Sequence, residues 1–186
     1  MRHHFFGKPK AYSQKDVAKV AEKKGCGLEC EDLVCDEYEV AKIRKTGNFC
    51  PMCEDYARMQ AQKPIAIMSC EGACLRGEIS RQAANIICHK LAPEKTVRIC
   101  LGGAFTKDTG QRNLVRNAKK IIAIEGCFIK CSSRMMQGVI EKLNPEIVLA
   151  DQLYDFDKSL FGIDQMPEDE IKANAKKVAE KIVEML

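Results

Sequence analysis

From residue 64 onward, short apolar runs alternate with segments whose apolar residues recur at helical spacing. Ile65-Ala66-Ile67-Met68 reads as a first strand. It leads through Ser69-Cys70-Glu71-Gly72-Ala73-Cys74 into a helix with Ile79, Ala83, Ile86 and Ile87 on one face. Thr96-Val97-Arg98-Ile99-Cys100 predicts a second strand ending at Gly102-Gly103, with a polar helix through Leu114 and Val115 after it. Ile121-Ile122-Ala123-Ile124 predicts a third strand, ending at Glu125-Gly126-Cys127, and Met135, Val139, Ile140 and Leu143 mark the next helix. Ile147-Val148-Leu149 is a fourth strand. Pro167 opens a last helix carrying Ile171, Ala175, Val178, Ile182 and Val183 at helical spacing.

Apolar runs of this kind belong to strands buried on both faces, and strands that alternate with amphipathic helices build βαβ units with right-handed crossovers. The expectation is an α/β three-layer sandwich around a mainly parallel sheet of about four strands, in the order 2-1-3-4.

The segment 1–63 reads differently. Ser13 can cap a helix through Asp16, Val17, Val20 and Ala21 that stops at Gly25. Cys26, Cys30 and Cys35 follow, then a charged helical stretch over 38–44, a turn at Gly47-Asn48, and Cys50-Pro51-Met52-Cys53. Large apolar residues are few, so a mostly helical segment here needs a staple, and a metal ion would serve. The chain is therefore expected to divide into a cysteine-rich metal-binding segment, 1–63, and an α/β domain, 64–186.

Composition adds little until cysteine is counted. The 186 residues are 46% hydrophobic and 30% charged, an ordinary globular balance. No stretch approaches the roughly 20 apolar residues of a membrane-spanning helix. The start, Met1-Arg2-His3-His4-Phe5-Phe6, carries no sustained apolar segment, so no signal peptide is read and a cytoplasmic location is expected. The net charge of +4 comes from basic residues scattered among acids, with eleven aromatics and no Trp; this argues against a nucleic-acid surface.

Eleven cysteines are the anomaly. In a reducing compartment, clustered thiols bind metal or do redox chemistry more often than they form disulfides, and an odd count does not close a disulfide framework. Ligands of an open parallel sheet bind beyond the carboxyl ends of its strands. Cys70, Cys100 and Cys127 stand at three such ends, and in the order 2-1-3-4 Cys70 is flanked by the other two. Adjacent strands lie about 4.8 Å apart, and zinc–sulfur bonds of about 2.3 Å draw sulfurs to roughly 4 Å from one another. Cys131 follows Cys127 by one helical turn and completes a set of four thiolates. Cys74, near a helix N-terminus, is an alternate ligand or a spare reactive thiol. Ile65-Ala66-Ile67 with Cys70-x3-Cys74 and Ile122-Ala123-Ile124 with Cys127-x3-Cys131 form a weak internal echo. Cys88, among apolar neighbours, reads as core, and His89 as an ordinary surface histidine.

Cys50-x2-Cys53 has a metal-knuckle spacing, and Cys30 and Cys35, with Cys26 as alternate, would complete a second site. Zinc is the expected metal, and a cysteine-held iron–sulfur cluster is the alternative. Gly102-Gly103 reads as a glycine turn beside the metal loop. No base, nucleophile and oxyanion site can be named as a set, so no reaction is assigned.

The stretch from about Pro64 to the end resembles the DGC-domain family of zinc-binding proteins, named for an Asp-Gly-Cys motif after a strand. Here that motif stands as Glu125-Gly126-Cys127, with Cys131 following. Cys70-Glu71-Gly72-Ala73 resembles the family's Cys-Ser-Gly-Ala segment, and Cys100-Leu101-Gly102-Gly103 its Cys-Leu-(Ala/Gly)-Gly segment. The resemblance implies zinc on Cys70, Cys100, Cys127 and Cys131 and no particular reaction. Glu125 in place of Asp and a cysteine at 74 depart from the family pattern. The competing functional readings are a zinc-binding protein, a cysteine-dependent redox or thiol enzyme, and an iron–sulfur protein.

Overall fold

A computed structural model describes residues 41–186. The expected helix over 13–25, Cys26, Cys30, Cys35 and residues 38–40 of the stretch 38–44 lie outside the described residues. Residues 41–50 form no helix or strand, with a bend at Gly47. The charged stretch therefore has no helix over Ala41 to Arg44, where nothing apolar recurs at a spacing that could bury it.

Ile43–Leu186 form one compact unit. Its elements run α1 (Pro51–Gln60), β1 (Ile65–Ser69), α2 (Leu75–Ile86), a π-turn (Ile87–Leu91), β2 (Thr96–Arg98), α3 (Leu101–Thr106), α4 (Gly110–Asn117), β3 (Lys120–Glu125), α5 (Cys131–Gln137), β4 (Glu146–Leu149) and α6 (Glu168–Val183), with two short 3-10 turns before α6. The sheet has four strands in the order β2-β1-β3-β4, and every pairing is parallel. This is the order expected from the strand and helix alternation.

Alternation along the strands assigns the two faces. Ile65, Ile67, Ile122, Ile124 and Val148 pack on one side with α2 and α6, through Ile79, Ala83, Val178 and Ile182. Ala66, Met68, Val97, Ile99 and Ala123 pack on the other side with Ala57 of α1, Leu101 and Ala104 of α3, Leu114 and Val115 of α4 and Met136 of α5. The helix layers cover both faces, and the three-layer sandwich follows.

Two local elements differ from the sequence reading. Gly102-Gly103 is not a turn but the first part of α3. The helix starts directly after Cys100, and a Cβ on Gly103 would lie 3.3 Å from Cys100 Sγ, so this glycine leaves room for the thiol. The helix marked by Met135, Val139, Ile140 and Leu143 ends at Gln137. Gly138 stops it, and Lys142 takes a left-handed backbone at φ 57°, so Ile140 and Leu143 reach the core from turns.

Candidate functional site

The carboxyl edge of the sheet is where the strand ends carry their cysteines. β1 continues one residue beyond its last side-chain pair, with Cys70 N–H donating to the Ile124 carbonyl at 2.9 Å. Cys70 thereby lies level with the end of β3. Two glycines let the following loops crowd together. A Cβ on Gly77 would sit 2.8 Å from the Gly72 carbonyl oxygen, and one on Gly126 2.9 Å from the backbone at Arg76 and Gly77. Real Cβ atoms do not approach backbone so closely, so the loop holding Cys70 and Cys74, the start of α2 and the loop holding Cys127 meet because positions 77 and 126 are glycine.

Glu125 fixes the last of these loops. Its carboxylate is fully buried, and all four of its bonds come from neutral groups at the start of α5. Ser132 donates its N–H (3.2 Å) and hydroxyl (2.7 Å), and Ser133 its N–H (2.7 Å) and hydroxyl (2.5 Å). The end of β3 is thus tied to the first turn of α5, and the residues between, Cys127 to Cys131, form a short closed loop. Lys130 in that loop adopts the left-handed region at φ 54°. The sequence reading left Glu125 without a defined role; an acid at a strand's end followed by a Ser-Ser pair seven residues on was the available signal.

The thiols fall into two groups. Cys70 is buried, Cys74 and Cys127 are half-buried, and Cys131 is exposed. Cys70 Sγ and Cys74 Sγ lie 3.5 and 3.6 Å from the point where Gly72 would carry a Cβ. Burial pushes the Cys70 thiol up, opposed by the backbone N–H groups of Gly72 and Gly126 that face its sulfur; a charge on Cys131 would push it further up. The N–H of Gly77 donates to Cys74 Sγ at 3.4 Å, so that thiol caps α2.

The second group stands at the start of α1. Cys50 is exposed and Cys53 half-buried, on the first turn of the helix. Cys50 makes no hydrogen bond that closes the cap. The N–H and thiol of Cys53 and the N–H of Met52 nonetheless face its sulfur and lower its pKa from the ordinary value. The Cys53 thiol is raised, first by its contact with Cys50, then by burial, with the Cys50 and Cys100 sulfurs adding to it. Cys100 is exposed at the end of β2, where its N–H donates to Gln111 Oε1 at 3.0 Å. Of the expected sheet-edge set, then, Cys131 acts on the charge of Cys70, Cys127 shares the loop of Cys131, and Cys100 borders Cys53.

Cys88 is 3% exposed in the core, and burial pushes its thiol up to about 11. His89 beside it is exposed. Among the described residues no three His, Cys, Asp or Glu side chains are gathered at metal-ligand spacing. The donor chemistry fits a thiophilic metal at the sheet edge: Cys131 lies near enough to Cys70 to act on its charge, and amide N–H groups already face Cys70 Sγ. Closing a tetrahedron requires the loops around Gly72 and Gly126 to draw their thiols inward.

A family model decides the relationship. The model for the DGC domain matches residues 66–178. The chain belongs to the DGC-domain family. Comparison with curated proteins and with solved structures returned no match. The matched stretch takes in all four strands and every cysteine from Cys70 to Cys131, and it excludes Cys50 and Cys53. No described helix is long and apolar enough to cross a membrane.

Proposed function

We propose that this DGC-domain protein binds zinc through cysteine thiolates at the carboxyl edge of its sheet. Cys70, Cys127 and Cys131 supply three ligands. The fourth is Cys74 or Cys100, and Cys74 is taken first because its sulfur and that of Cys70 both flank Gly72, 3.6 and 3.5 Å from where a Cβ would stand. The observation that carries the reading is the Cys70 corner, where Gly77, Gly126 and the Glu125 cap bring two cysteine-bearing loops together around one buried sulfur. A buried thiol has no reason to ionise alone, whereas a divalent metal deprotonates it outright and the Gly72 and Gly126 amides then offset its charge. Four thiolates leave no open position for a substrate, so the metal's work in this reading is to hold the two loops together.

Metal and acid-labile sulfide content, measured on reduced protein purified without oxygen, test the reading. Zinc without sulfide is expected. Iron with matching sulfide would replace it with a cluster. Cys74→Ser should then lose the sheet-edge zinc and Cys100→Ser keep it; the reverse would give the fourth position to Cys100.

A further inference from the structure

The cysteines at the start of α1 are supported differently, and their arrangement fits exchange chemistry. We propose that Cys50 and Cys53 form a thiol–disulfide couple that reacts with low-molecular-weight disulfides from solvent, with the exposed Cys50 as the attacking sulfur and Cys53 as the resolving one. This stands apart from the zinc reading, which uses other thiols.

The first helical bond of α1 runs from Glu54 N–H to the Cys50 carbonyl at 3.2 Å, so Cys50 and Cys53 are separated by a single turn. A turn rises about 5.4 Å, inside the Cα separation of roughly 4.4–6.8 Å that a disulfide spans. Both are free thiols here. A bridge closing so short a loop restricts the unfolded chain least of all, so a purely structural disulfide gains little at this spacing. Exposure divides the roles: Cys50 is open to solvent, and Cys53 is half-buried behind it.

The pair also sits on a fixed support. Glu54 accepts the Gly110 N–H at 3.0 Å, the Tyr56 hydroxyl donates to the Arg98 carbonyl at 3.4 Å, and Ala57 is buried against the sheet. Cys53 and Cys100 border a cleft of about 550 Å³, in whose wall Arg98 is paired with Glu71 and Arg81 with Glu78, while Cys50 stands outside it in solvent. That volume leaves room for a small molecule beside the resolving sulfur.

The exchange balances as follows. Cys50 thiolate attacks one sulfur of the incoming disulfide; that S–S bond breaks, and the departing thiolate takes up a proton. A mixed disulfide now joins Cys50 to the other half. Cys53, giving its proton to solvent, attacks Cys50 Sγ and releases the second half as a thiol. The substrate disulfide is reduced by two electrons, the Cys50–Cys53 pair is oxidised by two, and a small-molecule thiol in excess reverses the sequence.

The test uses the full chain, reduced and with its metal retained. It is exposed to oxidised glutathione, quenched in acid, alkylated and digested with trypsin. The peptide 46–58 contains Cys50 and Cys53 and no other cysteine. It should lose two hydrogens as an internal disulfide and regain them with reduced glutathione. Cys53→Ser should stop at a glutathione adduct on Cys50. The proposal is overturned if the peptide stays a dithiol while other cysteines oxidise. It is equally overturned if Cys53 instead links to Cys100 in peptide 99–107, or if Cys50 and Cys53 accept the alkylating reagent only after a chelator strips metal from them.

Discussion

The thiols around Gly72 and those at the start of α1 share one edge of the molecule but rest on opposite kinds of support. Cys70 and its neighbours hang on loops that two glycines and a buried carboxylate press together. Cys50 and Cys53 stand on a preformed helix whose far side is already packed on the sheet. The first arrangement has a buried sulfur between two loops. The second has an exposed sulfur at the end of a packed helix. Cysteine count and spacing do not separate these cases; what each sulfur is attached to does.

Changes that damage the loop support should separate the two groups most. Gly77→Ala puts a Cβ against the Gly72 backbone at 2.8 Å. It should destabilise the protein by about 3 kcal/mol, at the upper end for overpacking, and lower sheet-edge zinc affinity while the 46–58 peptide still oxidises. Equilibrium unfolding beside zinc titration checks it.

Glu125→Gln is expected to come next. An amide cannot accept four donors as the carboxylate does, and at least one buried donor from Ser132 or Ser133 is left facing an N–H. A loss of about 2 kcal/mol follows, with weaker zinc binding, measured by the same titrations. An unchanged midpoint would mean that the carboxylate does not hold the loop.

Cys88 supplies the smallest effect and a control outside both groups. Burial keeps its thiol neutral, and the unfolded chain ionises first, at the ordinary value of 9.0 against about 11 when folded. The stability from this neutral burial is complete below pH 9 and is lost as pH rises toward 11. Cys88→Ala should flatten the stability–pH curve in that window, by at most about 1.4 kcal/mol per pH unit, and leave zinc content unchanged.

Much of the architecture was legible in the chain because buried parallel strands write themselves as apolar runs. Ile65 to Met68 and Ile121 to Ile124 are buried on alternate faces, and helices of matching pattern cover them. The motif cysteines were legible for the same reason, since each follows a strand's end. The role of α1 was not: its packing rests on Ala57 and Tyr56 and on a Glu54–Gly110 bond, too few apolar residues to show a periodic face. Nor was the division of the thiols. Strand order makes Cys100 and Cys127 neighbours of Cys70 in the sheet, and the helix after Cys100 begins at once, with its thiol also bordering Cys53. Cα register fixes which strand ends are adjacent, and only the loops decide where the sulfurs stand. Glu125 shows the same limit: its position was evident, and its use as the anchor of α5 depended on Ser132 and Ser133 folding back onto it.

The most direct test of two thiol groups with two jobs is the zinc content of two double variants of the full chain, purified reduced. Cys50→Ser/Cys53→Ser should carry as much zinc as the parent, and Cys70→Ser/Cys131→Ser one zinc fewer. If instead the first variant loses a zinc and the second keeps the parent's content, the metal belongs to the start of α1, and the account is wrong.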